Sequence, residues 1–95
     1  MARLTFDSNP AKAASNLKKH GVSFSEASTV FDDPLAATFP DELHSEDETR
    51  SITIGLSSKH RLLFVSHLES HNKVRIIGAR LANGTETKDH EEATR

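Results

Sequence analysis

The sequence predicts an α+β domain in which two N-terminal helices cover one face of an antiparallel sheet and a short helix closes the chain. Three observations carry this expectation. Residues 9–33 hold two apolar patterns at helical spacing, each with start and stop signals at its ends. Residues 51–79 change to period-two alternation and to runs apolar on both faces, separated by short polar turns. Beyond residue 82 the apolar pattern stops. The order β-α-α-β-β-β-β-α groups helices and strands separately, as in α+β folds.

Leu4-Thr5-Phe6 reads as a short first strand. Asn9 then stands where an N-cap belongs and Pro10 at the first helical position. Pro10, Ala13, Ala14 and Leu17 share one helix face, which is expected to be buried. Lys18, Lys19 and His20 crowd the last turn, and Gly21 follows as a C-terminal cap. Ser23 and Glu26 have capping-box spacing at a second helix, with Val22 and Ala27 placed for a hydrophobic staple. Phe24, Ala27, Val30 and Phe31 give its buried stripe. Asp32-Asp33-Pro34 ends it, because the residue before proline is pushed out of the helical region.

Leu35 to Phe39 reads as a strand closed by Pro40. Ile52, Ile54 and Leu56 alternate with Ser51, Thr53 and Gly55, as in a strand with one covered face. Ser57 to His60 is a turn. Arg61 to Leu68 and Val74 to Ala79 are apolar on both faces, as central strands are, with Glu69 to Asn72 the hairpin between them. Asn83, Gly84 and Thr85 can start a helix, but Glu86 to Glu92 offers no apolar stripe to offset its ordering entropy. A frayed helix, or one that needs a partner, is expected there.

Ninety-five residues are one domain's worth of chain, expected to span 1–95 without a linker. Without cysteine there is no disulfide, thiolate zinc site or cysteine nucleophile, as suits a cytoplasmic protein. The opening residues Met1 to Asp7 carry no long apolar run, so neither signal peptide nor membrane anchor is expected. The formal net charge of -2 conceals a pattern. Thr49 to Ala82 carries six cations against the single anion Glu69, whereas Asp41 to Glu48 carries five acids and no Lys or Arg. A basic middle between acidic flanks suits local phosphate contact, although a solvated sheet surface would carry the same charges.

Of the six histidines, His67 and His71 lie across a turn, and Asp41, His44 and Glu46 sit in a polar loop. Neither set has zinc-site spacing, so no metal and no cofactor are expected and the histidines are assigned to the surface. There is no glycine-rich phosphate loop and no nucleophile elbow. Five phenylalanines with no Tyr or Trp offer little for stacking bases.

A longer pattern runs through the chain. Asp7-Ser-Asn-Pro-Ala-Lys12, Asn16, Lys19-His20-Gly21-Val22-Ser-Phe24-Ser-Glu26-Ala27 and Val30-Phe31-Asp-Asp33-Pro34 resemble the N-terminal signature of the BrnT toxin family. His44-Ser-Glu46-Asp-Glu48-Thr-Arg50, Ile54-Gly55-Leu-Ser57, Arg61-Leu62-Leu63 and Arg75-Ile76-Ile77-Gly78-Ala79-Arg80 continue it in order, from about Phe6 to Ala82. The resemblance implies a RelE-like fold and a metal-independent ribonuclease toxin that blocks translation and growth. It also implies a BrnA-like ribbon-helix-helix antitoxin as partner, with operator DNA met only through the toxin–antitoxin complex and no membrane contact. The chain departs from the family after the last strand, where a basic stretch with Glu and then Tyr is usual. Here Glu86 keeps its place, the arginines are missing and His90 stands at the tyrosine position.

In such a reaction the RNA's 2′-hydroxyl attacks the adjacent phosphate. The protein must move protons and stabilise charge on phosphorus. Arginine forks match phosphate oxygens, so Arg61 and Arg80 are the leading candidates. His20, Lys19 and His90 are the candidates for proton transfer and local charge, and Arg50, Lys59 and Arg75 for RNA backbone contact. Lys19 and His20 also fit a purely structural role, since cations at a helix C-terminus are stabilising by roughly 0.3–1 kcal/mol each. Arg61, Arg80 and Arg75 each also fit a surface or cross-strand salt bridge, for instance to Glu69 or Glu48, and Arg75 fits it best. Strand alternation puts Arg80 on the face of Val74 and Ile76 and Arg75 on the other, unless a bulge intervenes near Gly78. The second reading, from another class, is a binding module that keeps the antitoxin surface and has lost the nuclease.

Overall fold

The computed structural model describes residues 4–44 and 49–94. Glu46, Asp47, Glu48 and the side chain of His44 lie outside the described residues, so of the polar-loop set Asp41, His44 and Glu46 only Asp41 is described in full. The described strands are β1 (Thr5–Ser8), β2 (Ala37–Pro40), β3 (Arg50–Leu56), β4 (Leu62–Ser70) and β5 (Lys73–Leu81), and the helices are α1 (Pro10–His20), α2 (Phe24–Ser28) and α3 (Gly84–Ala93). They form one sheet in the order β1-β5-β4-β3-β2. Every neighbouring pair is antiparallel except β1 with β5, which run parallel. The expectation of a wholly antiparallel sheet is corrected at that edge. Alternation within a strand reports which face is covered and says nothing about the direction of a neighbour that is far away in the chain.

α1 begins and ends as its caps dictate: the Asn9 side chain accepts from the Ala11 and Lys12 amides, and Gly21 takes the left-handed conformation at φ 67°. Its buried face is not the one expected. Leu17 is 51% exposed, whereas Asn16 is buried. β1 reaches only as far as Ile76 along β5, so the β5 edge is open beyond that point. There the Asn16 amide replaces the missing strand. Its Nδ2 donates to the Ala79 carbonyl at 2.7 Å and to the Val22 carbonyl at 2.9 Å, and its Oδ1 accepts from the Ala79 amide at 3.1 Å. An apolar count cannot see this, because the group that fits is polar. Asn16→Leu should strand these buried main-chain groups and cost about 2–4 kcal/mol in urea unfolding. An unchanged midpoint would show that water replaces the amide at no cost.

α2 makes half of its capping box. The Ser23 hydroxyl accepts from the Glu26 amide, but the Glu26 carboxylate turns away toward Arg61 and Ser57. A 3₁₀ turn, Thr29–Asp32, extends it. Val22 and Ala27 are both buried, and Val22, Phe24, Ala27 and Val30 pack on Leu63, Val65, Val74, Ile76 and Ala79 to make the main core. Gly55 lets the loop after this turn lie against β3; a Cβ there would stand 2.8 Å from the Ala36 Cβ.

The β4–β5 hairpin turns through His71 and Asn72, both at positive φ, as a two-residue hairpin requires. Further along, Ser66 pairs with Gly78 but His67 with Ile76, so Ile77 is an extra residue in β5. This bulge inverts the alternation. Val74 and Ile76 before it and Ala79 after it all enter the main core. Arg75 and Arg80 consequently share the opposite face, and Arg80 does not lie with Val74 and Ile76.

His67 is not a surface residue. It is 0% exposed, with Nε2 at 2.7 Å from the Thr53 hydroxyl, which in turn bonds Thr38. Its ring meets Phe31 edge-on, and its Nδ1 has no hydrogen-bond partner among the described residues, the exposed Glu69 carboxylate standing at 3.6 Å. Burial pushes its pKa below the ordinary histidine value, only partly opposed by Glu69. The unfolded chain therefore takes up a proton that the fold refuses. Stability is expected to be complete above about pH 6.5 and to fall as pH drops below it, with a slope approaching about 1.4 kcal/mol per pH unit. Thermal unfolding between about pH 5 and 8 checks this against His67→Gln, which retains a partner for Thr53 without titrating. Parallel curves for the two proteins would rule it out.

Candidate active site

The face opposite the main core is laid out in rows across the sheet. Ala37, Ile54, Phe64 and Arg80 are successive cross-strand partners, and so are Phe39, Ile52, Ser66 and Gly78. A third row joins Arg50, Leu68 and Arg75. Arg80 thus stands at one end of an apolar floor, and Arg50 and Arg75 stand four residues away along the strands, roughly 13 Å.

Arg80 is held on several sides. Its guanidinium lies over the Phe64 ring at 3.9 Å from the centroid. Nη1 donates to Glu86 Oε1 at 2.8 Å and to the Leu81 carbonyl at 3.1 Å, and Nη2 donates to Glu86 Oε2 at 2.9 Å. The end-on edge of the fork is therefore occupied. The side-on edge, Nε–H with the second Nη2–H, has no hydrogen-bond partner among the described residues. Glu86 also accepts from the Asn83 amide while Asn83 accepts from the Glu86 amide, a complete capping box. The Arg80 guanidinium holds the Glu86 carboxyl below its usual range, with burial opposing, and Glu86 raises Arg80 in return. This polar tie is what forms α3. The missing apolar stripe predicts a frayed helix or one that needs a partner; none of its residues is buried, and its first turn is tied to β5 through Glu86 and Arg80.

Two clefts share Phe64, the ring beneath the Arg80 guanidinium. In the first, the bulge at Gly78 opens a hollow lined by Arg80, Phe64, Ser66, Asn16 and His20, the last residue of α1. The second lies between α3 and the sheet, with His90 on its helical wall. Arg80 and His20 are thereby brought to one cleft from residues sixty apart in sequence. Lys19 is exposed on the same helix turn and is not among the residues of that hollow. Arg75 is paired with Asp7 at 3.6 Å in solvent, an arrangement of little energetic weight. Arg50 is half-buried on the same face, and Lys59 is exposed in the β3–β4 turn.

Arg61 is elsewhere. It reaches over the main core, where its Nε donates to Glu26 Oε2 at 2.9 Å, its Nη2 pairs with Glu26 Oε1, and Nη2 also donates to the Gly21 carbonyl at 3.0 Å. Its partner is Glu26 and not Glu69; Glu48 lies outside the described residues. The Glu26 side chain is only 2% exposed and also accepts from the Ser57 hydroxyl at 2.6 Å. The Arg61 hydrogen bonds hold the Glu26 carboxyl below its usual range, against the effect of burial. Arg61 and Arg80 therefore work on opposite faces of the sheet.

Phe64, Ser66 and Asn16 join the site beyond the residues expected there. Asn16 stands in the BrnT-like signature and Asn83–Glu86 has capping-box spacing, whereas nothing in the linear pattern marks Phe64 or Ser66.

Residues 8–86 match the family described as "Ribonuclease toxin, BrnT, of type II toxin-antitoxin system". The chain belongs to the BrnT family. The crystal structure of the Brucella abortus ribonuclease toxin BrnT aligns with a TM-score of 0.66 at 19% identity, covering 84% of this chain and 97% of that one. At such identity the likeness establishes a shared fold, mixed α+β with three helices and a five-stranded sheet. No curated protein sequence matches the chain. Membership of a type II toxin family implies an antitoxin partner for this BrnT-family protein. No helix among the described residues is long and apolar enough to cross a membrane.

Proposed function

We propose that this BrnT-family chain is a cytoplasmic ribonuclease of RelE-like architecture that cleaves RNA without a metal, at the hollow shared by Arg80 and His20. The observation that carries the reading is the state of Arg80. Glu86, Phe64 and the Leu81 carbonyl hold its guanidinium in place, leaving a side-on pair of donors for phosphate oxygens. A donor fixed before the reaction stabilises developing charge without reorganising.

In this scheme the 2′-oxygen forms a bond to phosphorus as the bond to the 5′-oxygen breaks, leaving a 2′,3′-cyclic phosphate and a 5′-hydroxyl. Arg80 neutralises the charge gathering on the phosphate, and His20 exchanges a proton at the hollow. Lys19 adds positive potential from the same helix end, while His90 attends the neighbouring cleft. Arg50 and Arg75, and Lys59 from its turn, guide the flanking backbone. Arg61 has no chemical part. A BrnA-like ribbon-helix-helix antitoxin is the neutralising partner, and operator DNA is met only through that complex.

Induced expression of the free chain should arrest bacterial growth with loss of total RNA. The purified protein should cut RNA in the presence of a chelator and leave the 2′-deoxy strand intact. Normal growth with a folded, soluble product would overturn the reading. It would leave the second one, an antitoxin-binding module without nuclease activity, which the acids Glu86, Asp89, Glu91 and Glu92 in and around α3 favour by opposing phosphate.

A further inference from the structure

The second cleft, which adjoins the first through Phe64, has a composition that phosphate chemistry does not use. It is half-open, encloses about 330 Å³ and lies between α3 and the sheet. Its floor is the row Ala37, Ile54 and Phe64, which ends at Arg80, with Phe39 at the β2 side. Its roof is polar. The sheet-facing positions of α3 are Glu86, Asp89, His90 and Ala93. Glu86 is committed to Arg80 and to the Asn83 amide, so Asp89 and His90 supply the hydrogen-bonding groups that remain.

We infer that this cleft is a nucleobase subsite, taking the base of the nucleotide whose phosphate rests on Arg80 and favouring guanine. The inference rests on the reading of Arg80 as the phosphate contact. Phe64 lines both clefts, so a phosphate on one side of Arg80 and a base on the other need no more than one nucleotide. A planar base is apolar on its faces and polar at its edge. The cleft offers the complement, an apolar aliphatic and aromatic floor with donors and acceptors along one wall. Among the bases, guanine presents two adjacent N–H donors on its Watson–Crick edge, which one carboxylate can accept together; Asp89 is the carboxylate available. A hydrophobic segment of the antitoxin would use the floor but make no use of Asp89 and His90, which is why the base is the better occupant.

The test is titration of the purified full chain with the four nucleoside 3′-monophosphates and with inorganic phosphate, followed by NMR. Guanosine 3′-monophosphate should shift the Ala37, Ile54 and Phe64 signals and bind about tenfold more tightly than the other nucleotides. Inorganic phosphate should shift Arg80 and leave the floor unmoved. Asp89→Asn should erase the preference for guanine. Ala37→Phe, which fills the floor at an exposed position, should weaken nucleotide binding about tenfold and leave phosphate binding as in the parent. Equal binding of all four nucleotides and phosphate, with an unmoved floor, would overturn the subsite while the Arg80 contact stands. Failure of both phosphate and nucleotides to bind would remove the contact and the subsite together. If Ala37→Phe instead spares nucleotide binding and abolishes antitoxin binding, the cleft is a protein-docking groove and the inference is wrong.

Discussion

Replacing Arg61 with alanine is expected to lower the melting temperature by at least about 10 °C, without touching the chemistry. The Glu26 carboxylate is almost wholly buried, and Arg61 provides its charge partner. Removing the arginine leaves a buried carboxylate with the Ser57 hydroxyl as its remaining side-chain donor among the described residues and Lys59 acting on it through charge alone. Breaking a buried pair from one side is among the most damaging single changes a small domain can suffer. The same substitution frees the Gly21 carbonyl at the end of α1. Arg61→Lys should fall between parent and alanine, because it keeps the charge and loses the fork. Adding Glu26→Gln to Arg61→Ala should recover part of the loss, since a neutral amide is cheaper to bury than a carboxylate. Calorimetry gives the stabilities, and RNA cleavage per folded molecule, measured well below the transition, should equal that of the parent. An unaltered melting temperature with cleavage abolished would return Arg61 to the chemistry.

Arg80→Ala is expected to do the reverse in kind, reducing cleavage by about 100- to 1,000-fold while the sheet stays folded. Lysine should rescue little, because a point charge cannot present two fixed donors to a phosphate. The variant has a second, structural signature. Glu86 loses the partner that ties α3 to β5, so the helix should fray and far-UV helicity should drop. Glu86→Gln separates the two effects by loosening α3 while sparing the arginine. Its cleavage should fall less than that of Arg80→Ala. Equal losses would mean that Arg80 acts only by holding the helix, and full activity in Arg80→Ala would remove it from the site.

Much of the fold was legible in the chain because it depends on local chemistry. Asn9, Pro10 and Gly21 bound α1 through their own backbone preferences, and Ser23 opens α2 in the same way. Alternation around Ile52 and the runs through Leu63 and Ile76 identify central strands whatever their neighbours. The clustering of cations between Thr49 and Ala82, the order of the BrnT-like motifs and the capping-box spacing of Asn83 and Glu86 are equally properties of sequence alone.

Other decisions belong to contacts between distant segments. Ile77 became an extra residue only through pairing with β4, and that one-residue slip moved Arg80 to the face of Arg75. Asn16 was buried because β1 stops short of the end of β5, and His67 because Thr53 and Phe31 close over it. Phe39 and Phe64 stand far apart in the chain, and pairing across three strands puts both beside one cleft. α3 lacks an apolar stripe and is formed by an ion pair to the preceding strand. Sequence therefore determined the elements, since caps and periodicity act within a few residues. Tertiary structure determined which polar groups are buried and which arginine meets which cleft, since both depend on a partner that only the register of the sheet supplies.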